Sequence, residues 1–377
     1  MKTNINNNQS NNQIKMKKYL IIAAAAVAAM AACTKFESNA PERKVTFQAA
    51  SYIPQTRANV SVLDDFTSFT SKAFLHADGY ENITQDFFGA SGETISPDNT
   101  TNPSYWAPSH DYYWPKSSES YINFIGWHDH NGDAPTTATE TSLSWANYVV
   151  ATDDNLLYAD EAWRFQDNDH DEFDKNSVTA GVPMLFHHAL AKLTIKAKAA
   201  RVSATDNTWA ILLDTLKLAG VYNTGTLTLT NADPGTENTR VAWTNAADTL
   251  WSSPSNATEI SMLERLTSTG SETNPAALTT SATTMLDGQS VLPQALTSAH
   301  KLTVVYSIYN TANGRTTKER LATTIDLSDF DGGLTGWAMN RKITYTITID
   351  PQTTLVKLDP AVEDWVERDG GEAEAEN

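Results

Sequence analysis

The chain is poor in cysteine and in positive charge, and both shortages restrict what it can be. Cys33 is its single cysteine, so a disulfide framework and a cysteine-rich metal site are excluded. Lysine and arginine number 27 against 45 aspartate and glutamate residues, which gives a formal net charge of -18. This charge makes nucleic acid and anionic lipid poor partners on electrostatic grounds. With 377 residues, the chain is too long for one ordinary core and long enough for two.

The recognisable catalytic signatures are also missing. There is no Gly-x-Ser-x-Gly nucleophile elbow, no phosphate-cradling glycine loop and no His-Glu-x-x-His helix. Paired carboxylates are abundant in so acidic a chain, so they carry little weight for glycosidase chemistry. Because no nucleophile–base pair can be named, a secreted hydrolase is the least favoured function. We therefore predict no catalytic residue, no cofactor and no enzymatic activity.

Two segments have residue types of a metal site but lack the full ligand pattern. Residues 167–174 alternate oxygen donors as a calcium loop does, yet Glu172 stands where a glycine is needed and Val178 where a bidentate glutamate is needed. His128-Asp129-His130 offers two imidazoles and a carboxylate, and the two histidines would face the same side of a strand, but no third and fourth ligand can be named. We interpret residues 167–174 as a solvated acidic loop and predict no metal site.

Short alternating stretches are what the chain has in quantity. Leu193, Ile195 and Ala197 alternate with polar residues, which predicts a half-buried strand. The same alternation runs through residues 301–309 and 342–349, where β-branched and aromatic residues dominate. Many such strands separated by turn signals predict an all-β fold of two β-sandwiches in tandem.

Further strands are predicted where short apolar stretches lie between turn-rich loops. These stretches are residues 45–49, 69–75, 112–115, 121–127, 145–150, 156–158, 214–219, 225–229 and 241–243. Convincing amphipathic helices are missing, although residues 328–340 are compatible with a short helical turn. After the N-terminal segment, no apolar run is long enough to cross a bilayer.

Residues 182–198 lie between a loop-rich first half and a more regular second half. We interpret this stretch as the connection between the two sandwiches. Within it, His187 and His188 would point to opposite faces of a strand, so they cannot both bind a metal from that strand. We predict that at least one of them is a packed or hydrogen-bonded residue.

The N-terminal segment has the organisation of an export signal. Several lysines precede an apolar run over residues 19–30, and small residues follow directly before Cys33. This arrangement resembles a bacterial lipoprotein signal, in which the cysteine becomes the acylated first residue of the mature protein. The alternative is an ordinary secretory signal with a chance cysteine. Acyl chains would tether the protein to a membrane without spanning it. Met16 is a second candidate start.

A series of short motifs follows this signal in a fixed order. They are Thr56-Arg57-Ala58, Tyr112-Tyr113-Trp114-Pro115, Ile122-Asn123-Phe124, residues 154–159, residues 186–193, Gly225-Thr226-Leu227 with Trp243, Leu292-Pro293-Gln294, Trp337 with Asn340 and Tyr345, and Val362-Glu363-Asp364-Trp365. Together with the signal ending at Cys33, the series resembles the fimbrillin-like lipoproteins of Bacteroidetes, which are subunits of type V pili. The resemblance covers nearly the whole mature chain.

This resemblance implies an architecture and a route of maturation. The family's fold implies two transthyretin-like (Greek-key) β-sandwiches, and its export implies acylation, for example with palmitate, at Cys33. An arginine-specific protease then removes an N-terminal segment, and Arg57 matches that cleavage point, so Arg57 and Ala58 flank the expected cut. An ordinary loop arginine is the alternative interpretation of Arg57. Removal of the first strand would open a groove for a strand of a neighbouring subunit, with residues 353–365 as a candidate donor.

The resulting division of the chain has five parts. They are residues 1–32 as the lipoprotein signal peptide, 33–57 as a tether with the removable N-terminal strand, 58–183 as the N-terminal sandwich, 184–366 as the C-terminal sandwich, and 367–377 as a disordered acidic tail.

The implied function is a structural and adhesive fimbrial subunit at the outer membrane and cell surface. Its partners would be other fimbrial subunits, the outer membrane through the lipid anchor before processing, and host or bacterial surface ligands. Whether the subunit belongs to the stalk, the tip or the anchor stays open. The alternative function is a surface carbohydrate-binding lipoprotein of a glycan-uptake system, in which aromatics such as Trp106, Tyr112, Trp114 and Trp163 would stack on sugars. Core packing explains these aromatics equally well.

Overall fold

The structure is a computed structural model, and it describes most of the chain after residue 43. The described residues are 44–51, 67–76, 85–98, 105–114, 121–129, 131–160, 162–166, 181–201, 209–230, 243, 251–264, 277–310, 316–330 and 333–365. Every regular element in these ranges is a β-strand, so the predicted all-β fold is confirmed. Within the same ranges, no helix has the length and apolar character needed to span a membrane. The transthyretin-like arrangement and the division at residues 183 and 184 stay predictions.

Ten strands precede residue 167. They are β1 (Phe47–Ser51), β2 (Phe69–His76), β3 (Gln85–Asp86), β4 (Glu93–Asp98), β5 (Tyr105–Pro108), β6 (Tyr121–Asp129), β7 (Thr137–Thr139), β8 (Ser142–Val149), β9 (Leu156–Ala159) and β10 (Ala162–Gln166). Eight of them, all but β7 and β8, form a nine-stranded sheet together with β11. Its order is β10-β6-β9-β11-β1-β5-β4-β2-β3.

Eleven further strands follow. They are β11 (Val182–His188), β12 (Ala191–Ala199), β13 (Trp209–Thr230), β14 (Trp251–Glu264), β15 (Thr283–Val291), β16 (Gln294–Ala295), β17 (Lys301–Asn310), β18 (Thr316–Asp326), β19 (Gly336–Trp337), β20 (Arg341–Ile349) and β21 (Val356–Asp364). They build a four-stranded sheet, β15-β12-β20-β21, and most of a six-stranded sheet that contains β18-β17-β13-β8-β7, with β14 also on β13. Strands β16 and β19 form a separate pair.

The nine-stranded sheet closes on itself. An additional pairing joins β6 to β2, so the path β6-β9-β11-β1-β5-β4-β2 returns to β6. Each strand of this path is hydrogen-bonded to a neighbour on both sides, and β1 is one link of it. Removing β1 would therefore break the ring between β11 and β5.

The predicted connection between the two halves consists of two strands in different sheets. Strand β11 lies beside β1, and β12 lies parallel to β20 in the four-stranded sheet. Ala189 and Leu190 join these strands and are fully buried. They belong to a core cluster that contains residues of β2, β6, β8, β9 and β13. Residues 182–198 thus link the sheets through a packed junction.

Several predicted elements differ in extent from the observed ones. Residues 112–115 do not form a strand in their described part, where Tyr113 makes an isolated bridge to Lys44. The two strands predicted over residues 214–219 and 225–229 are parts of β13, which continues through Gly220. The described parts of residues 328–340 contain turns and the two-residue strand β19.

Candidate functional site

Strand β1 lies inside the nine-stranded sheet and is the element that the proposed cleavage would remove. It pairs in parallel with β11 over five residues and antiparallel with β5 at one position. Val45 and Phe47 are buried, and Ala49 is partly buried against the same core, so alternate residues face inward. Such alternation is typical of a strand, which is the element that the sequence predicted for residues 45–49.

Phe47 is the centre of an aromatic cluster. Its ring lies 5.8 Å from that of Phe69 and 5.4 Å from that of Phe124, both edge-on, and 6.2 Å from that of Phe88. Phe186 in β11 completes the cluster by packing on Phe69 at 5.0 Å. Edge-to-face rings at these distances attract each other beyond simple burial of area. The side chain of Phe47 therefore fixes β1 against β2, β6 and the turn after β3.

The segment that follows β5 holds the start of β1. Lys44 Nζ lies 2.7 Å from a carboxylate oxygen of Asp111, and Val45 donates a backbone hydrogen bond of 2.8 Å to the carbonyl of Tyr112. The ring of Tyr112 packs 4.6 Å from that of Phe88. These contacts connect the residues just before β1 to the aromatic cluster around Phe47.

Glu93 holds the side chain of Tyr112 in place through a hydrogen bond to its hydroxyl. It accepts a 2.7 Å hydrogen bond from the Tyr112 hydroxyl and further bonds from Ser109 and from the ring of His110. Burial of the Glu93 carboxyl raises its pKa, but the three hydrogen bonds together lower it below its usual value. Burial and the neighbouring Glu93 raise the pKa of Tyr112 to about 12.

This cluster has the residue types of a serine hydrolase but the wrong geometry. A general-base histidine contacts the serine through one ring nitrogen and the carboxylate through the other. Here Nδ1 of His110 lies 3.2 Å from the Ser109 hydroxyl and 3.0 Å from Glu93, and Ser109 donates directly to Glu93. The arrangement supports Tyr112 and does not activate a nucleophile.

Gly181 lets β1 approach β11 closely. Its φ is +83°, and an added Cβ would lie 2.8 Å from the backbone nitrogen and carbonyl carbon of Phe47. The next residue, Val182, donates a 2.7 Å hydrogen bond to the carbonyl of Thr46. Glycine at this position thus combines a left-handed conformation with direct backbone contact.

Gly181→Ala is expected to destabilise the full-length chain by about 2–4 kcal/mol, because strain at positive φ adds to a clash with β1. Gly132→Ala is a matched control, since Gly132 has a φ of +79° with nothing within 4 Å of an added Cβ. It should lose only about 1 kcal/mol. Urea denaturation measures both losses. Equal losses would show that β1 does not contact Gly181.

The predicted packing role of the two histidines is confirmed. His188 is buried, its Nδ1 lies 2.8 Å from the side-chain oxygen of Asn155, and its ring stacks on Trp365 at 3.8 Å. Burial lowers the pKa of His188 well below its usual value, so the ring is neutral. His187 stacks on Tyr158 at 5.1 Å on the other face of the strand. Trp365, which follows β21, is thereby anchored on β11.

Two carboxyl groups share a hydroxyl near the same junction. Tyr148 Oη lies 2.9 Å from both carboxylate oxygens of Asp154 and 3.3 Å from one of Asp129. Burial raises the pKa of Asp129 to about 6, and the charge of Asp154 contributes to the rise. The carboxyl of Asp129 therefore binds a proton more readily in the folded chain than in the unfolded one.

Stability is expected to fall as pH rises through about 6, because the pKa of Asp129 in the folded chain lies above its ordinary value of 3.8. The stabilisation that comes from proton binding at Asp129 is complete below pH 3.8 and is lost above a pH of about 6. Asp129→Asn should be more stable than the wild type at about pH 7.5, and the difference should narrow toward pH 4. Thermal unfolding across pH measures it, and a pH-independent difference would contradict this assignment.

Several residues singled out in the sequence lie outside the described residues. They are Cys33, Arg57, Ala58, His130 and residues 167–174. In the part of the chain that the structure describes, no group of three or more His, Cys, Asp or Glu residues is placed to hold a metal ion.

Of the aromatics considered for sugar binding, the side chain of Trp163 lies outside the described ones, and those of Trp106, Tyr112 and Trp114 are partly or fully buried. Among the described aromatic side chains, Tyr113 is the only one that is more than a third exposed, whereas Trp114 is buried and Trp106 is half-buried against Phe69. A sugar platform needs an open row of rings, which these residues do not form. Sequence reasoning also missed Glu93 and Gly181, which have no distinctive motif around them.

Comparison with known proteins gives a family. Residues 56–365 match the family model described as fimbrillin-like. Two solved structures resemble the chain: a fimbrial protein from Bacteroides vulgatus ATCC 8482 (14% identity, TM-score 0.45, 86% of this chain and 100% of that chain covered) and a proposed cell adhesion protein from Bacteroides uniformis ATCC 8492 (17%, 0.43, 86% and 98%). None of the curated proteins compared with the chain matches it. The family match spans most of the chain, so the protein belongs to the fimbrillin-like family, and this membership indicates a non-enzymatic fimbrial subunit at the cell surface.

Proposed function

We propose that the protein is exported as a lipoprotein acylated at Cys33 and assembles into fimbriae by protease-triggered strand exchange. Cleavage between Arg57 and Ala58 would separate β1 from the rest of the chain. A strand of a neighbouring subunit would then take its place. Head-to-tail contacts of this kind do not close, so they produce a fibre.

The position of β1 is the observation that supports this proposal. The strand lies between β11 and β5 in the closed ring, and it precedes the expected cut. After cleavage only hydrogen bonds and side-chain packing would hold it. Its departure would expose unpaired backbone groups on β11 and β5, and a donated strand satisfies such groups while burying alternate side chains.

The candidate donor, residues 353–365, is built into its own sheet in this chain. Strand β21 pairs with β20 over nine residues, from Val356 opposite Ile349 to Asp364 opposite Arg341. Donation of this segment to a neighbour would require β21 to leave β20 and Trp365 to leave His188. A subunit that keeps β21 in place would accept a strand without giving this one.

The test is cleavage by an arginine-specific protease. We expect cleavage after Arg57, followed by a ladder of polymers on unheated SDS gels. Arg57→Lys is the matched control, because it keeps the positive charge and removes the cleavage site. That variant should remain monomeric under the same treatment. Clean cleavage after Arg57 without any polymer, at high protein concentration, would refute assembly through this route.

A further inference from the structure

The groove that β1 occupies is lined by aromatic rings at the position of Phe47. Phe47 and the three phenylalanine rings that it contacts come from β1, β2, β6 and the turn after β3. The side chain of Phe47 is fully buried. If β1 leaves, the three remaining rings line a pocket shaped for one planar group.

The positions two residues away from Phe47 differ in size. Val45 is buried on the same face, and Ala49 is partly buried against the same cluster. At three alternate positions, the groove therefore accepts a medium-sized, a large aromatic and a small side chain of an incoming strand. Protein interiors are close-packed, so a mismatch at the middle position leaves a void or an overlap.

The edge of β11 fixes where the backbone of the occupant runs. Five residues of β1 pair with β11 in parallel, from Phe47 opposite Val182 to Ser51 opposite Phe186. Gly181 approaches the backbone of Phe47 directly, which sets the depth of the strand at this point. The aromatic pocket and the close backbone contact therefore coincide at one residue of the occupant.

We propose that the groove selects a donor strand that carries a large aromatic side chain at the position of Phe47 and runs parallel to β11. This proposal rests on the strand exchange proposed above and names the chemistry of its partner: an extended segment of another subunit with an aromatic anchor two residues before a small residue. The aromatic anchor supplies selectivity, because backbone hydrogen bonds alone are the same for every sequence.

The test uses full-length protein with a site-specific protease sequence replacing residues 52–57, so that removal of β1 does not depend on Arg57. Synthetic peptides covering residues 44–51 are titrated into the trimmed protein by calorimetry. The Phe47→Ala peptide should bind about a hundredfold more weakly than the natural peptide. The Phe47→Leu peptide, similar in apolar character but not planar, should bind about tenfold more weakly. The Thr46→Ala peptide should bind within about threefold, because Thr46 contributes its backbone carbonyl.

Equal affinities of the natural and Phe47→Leu peptides would overturn the aromatic requirement, and equal affinities of all four peptides would overturn selection at this pocket. If the trimmed protein does not stay folded alone, it is refolded with each peptide, and the yields should follow the same order. Equal yields would also overturn the proposal. Polymer formation after natural cleavage is scored separately, so failure of strand exchange is distinguished from failure of selectivity.

Discussion

Phe47→Ala in the full-length chain is expected to lower the free energy of unfolding by about 3–5 kcal/mol. The lost side chain is fully buried and contacts rings from three other segments, so its removal leaves a cavity within the nine-stranded sheet. Urea denaturation followed by tryptophan fluorescence measures the loss.

Thr46→Ala is the control for this substitution. Thr46 is half-buried and belongs to the same segment, and its carbonyl bond to Val182 would remain. It should change stability by less than about 0.5 kcal/mol. A loss below about 1 kcal/mol for Phe47→Ala would mean that β1 contributes little to the stable fold.

Glu140→Ala is the second substitution with a large expected effect. Glu140 lies in the turn between β7 and β8, and its carboxylate contacts one side chain of β2 and one of β6 in the other sheet. It lies 2.8 Å from Nε2 of His76 and also accepts a hydrogen bond from Asn123. All three residues are buried. Lys72 strengthens the contact through a 3.0 Å bond to the carbonyl of Ala138.

Removing one partner of a buried polar network leaves the others without compensation, which costs about 3–5 kcal/mol. Glu140→Ala should therefore destabilise the chain by that amount, measured by urea denaturation. Glu259→Ala is the matched control, because Glu259 forms an exposed ion pair with Lys217 at 3.2 Å. It should cost less than about 1 kcal/mol. Similar losses in both variants would show that Glu140 is not buried between the sheets.

The strands with strict alternation could be predicted from the sequence. Leu193, Ile195 and Ala197 are buried in β12, as their period of two indicates. The parallel pairing of β12 with β20 could not be predicted, because the partner is about 150 residues away and alternation does not encode register. The sequence predicted separate strands over residues 214–219 and 225–229, whereas β13 is continuous because Gly220, at a φ of +84°, allows it to pass close to Ala299.

The candidate site was predictable in outline only. The short stretch at residues 45–49 indicated a first strand, and the resemblance supplied Arg57 as the expected cut. The place of β1 beside β11 is a long-range pairing that composition does not reveal. Likewise, Glu93, His76 and Glu140 are ordinary polar residues in the sequence, and only their burial and mutual contacts give them a role.

Under the proposed function, β1 is a replaceable strand that is held without a covalent link after cleavage at Arg57. Native mass spectrometry of the cleaved protein tests it most directly. We expect the N-terminal piece to remain bound at first and to exchange with an isotope-labelled copy of residues 44–51 while the remainder stays folded. A piece that never exchanges, or a remainder that unfolds without accepting the labelled copy, would contradict the claim.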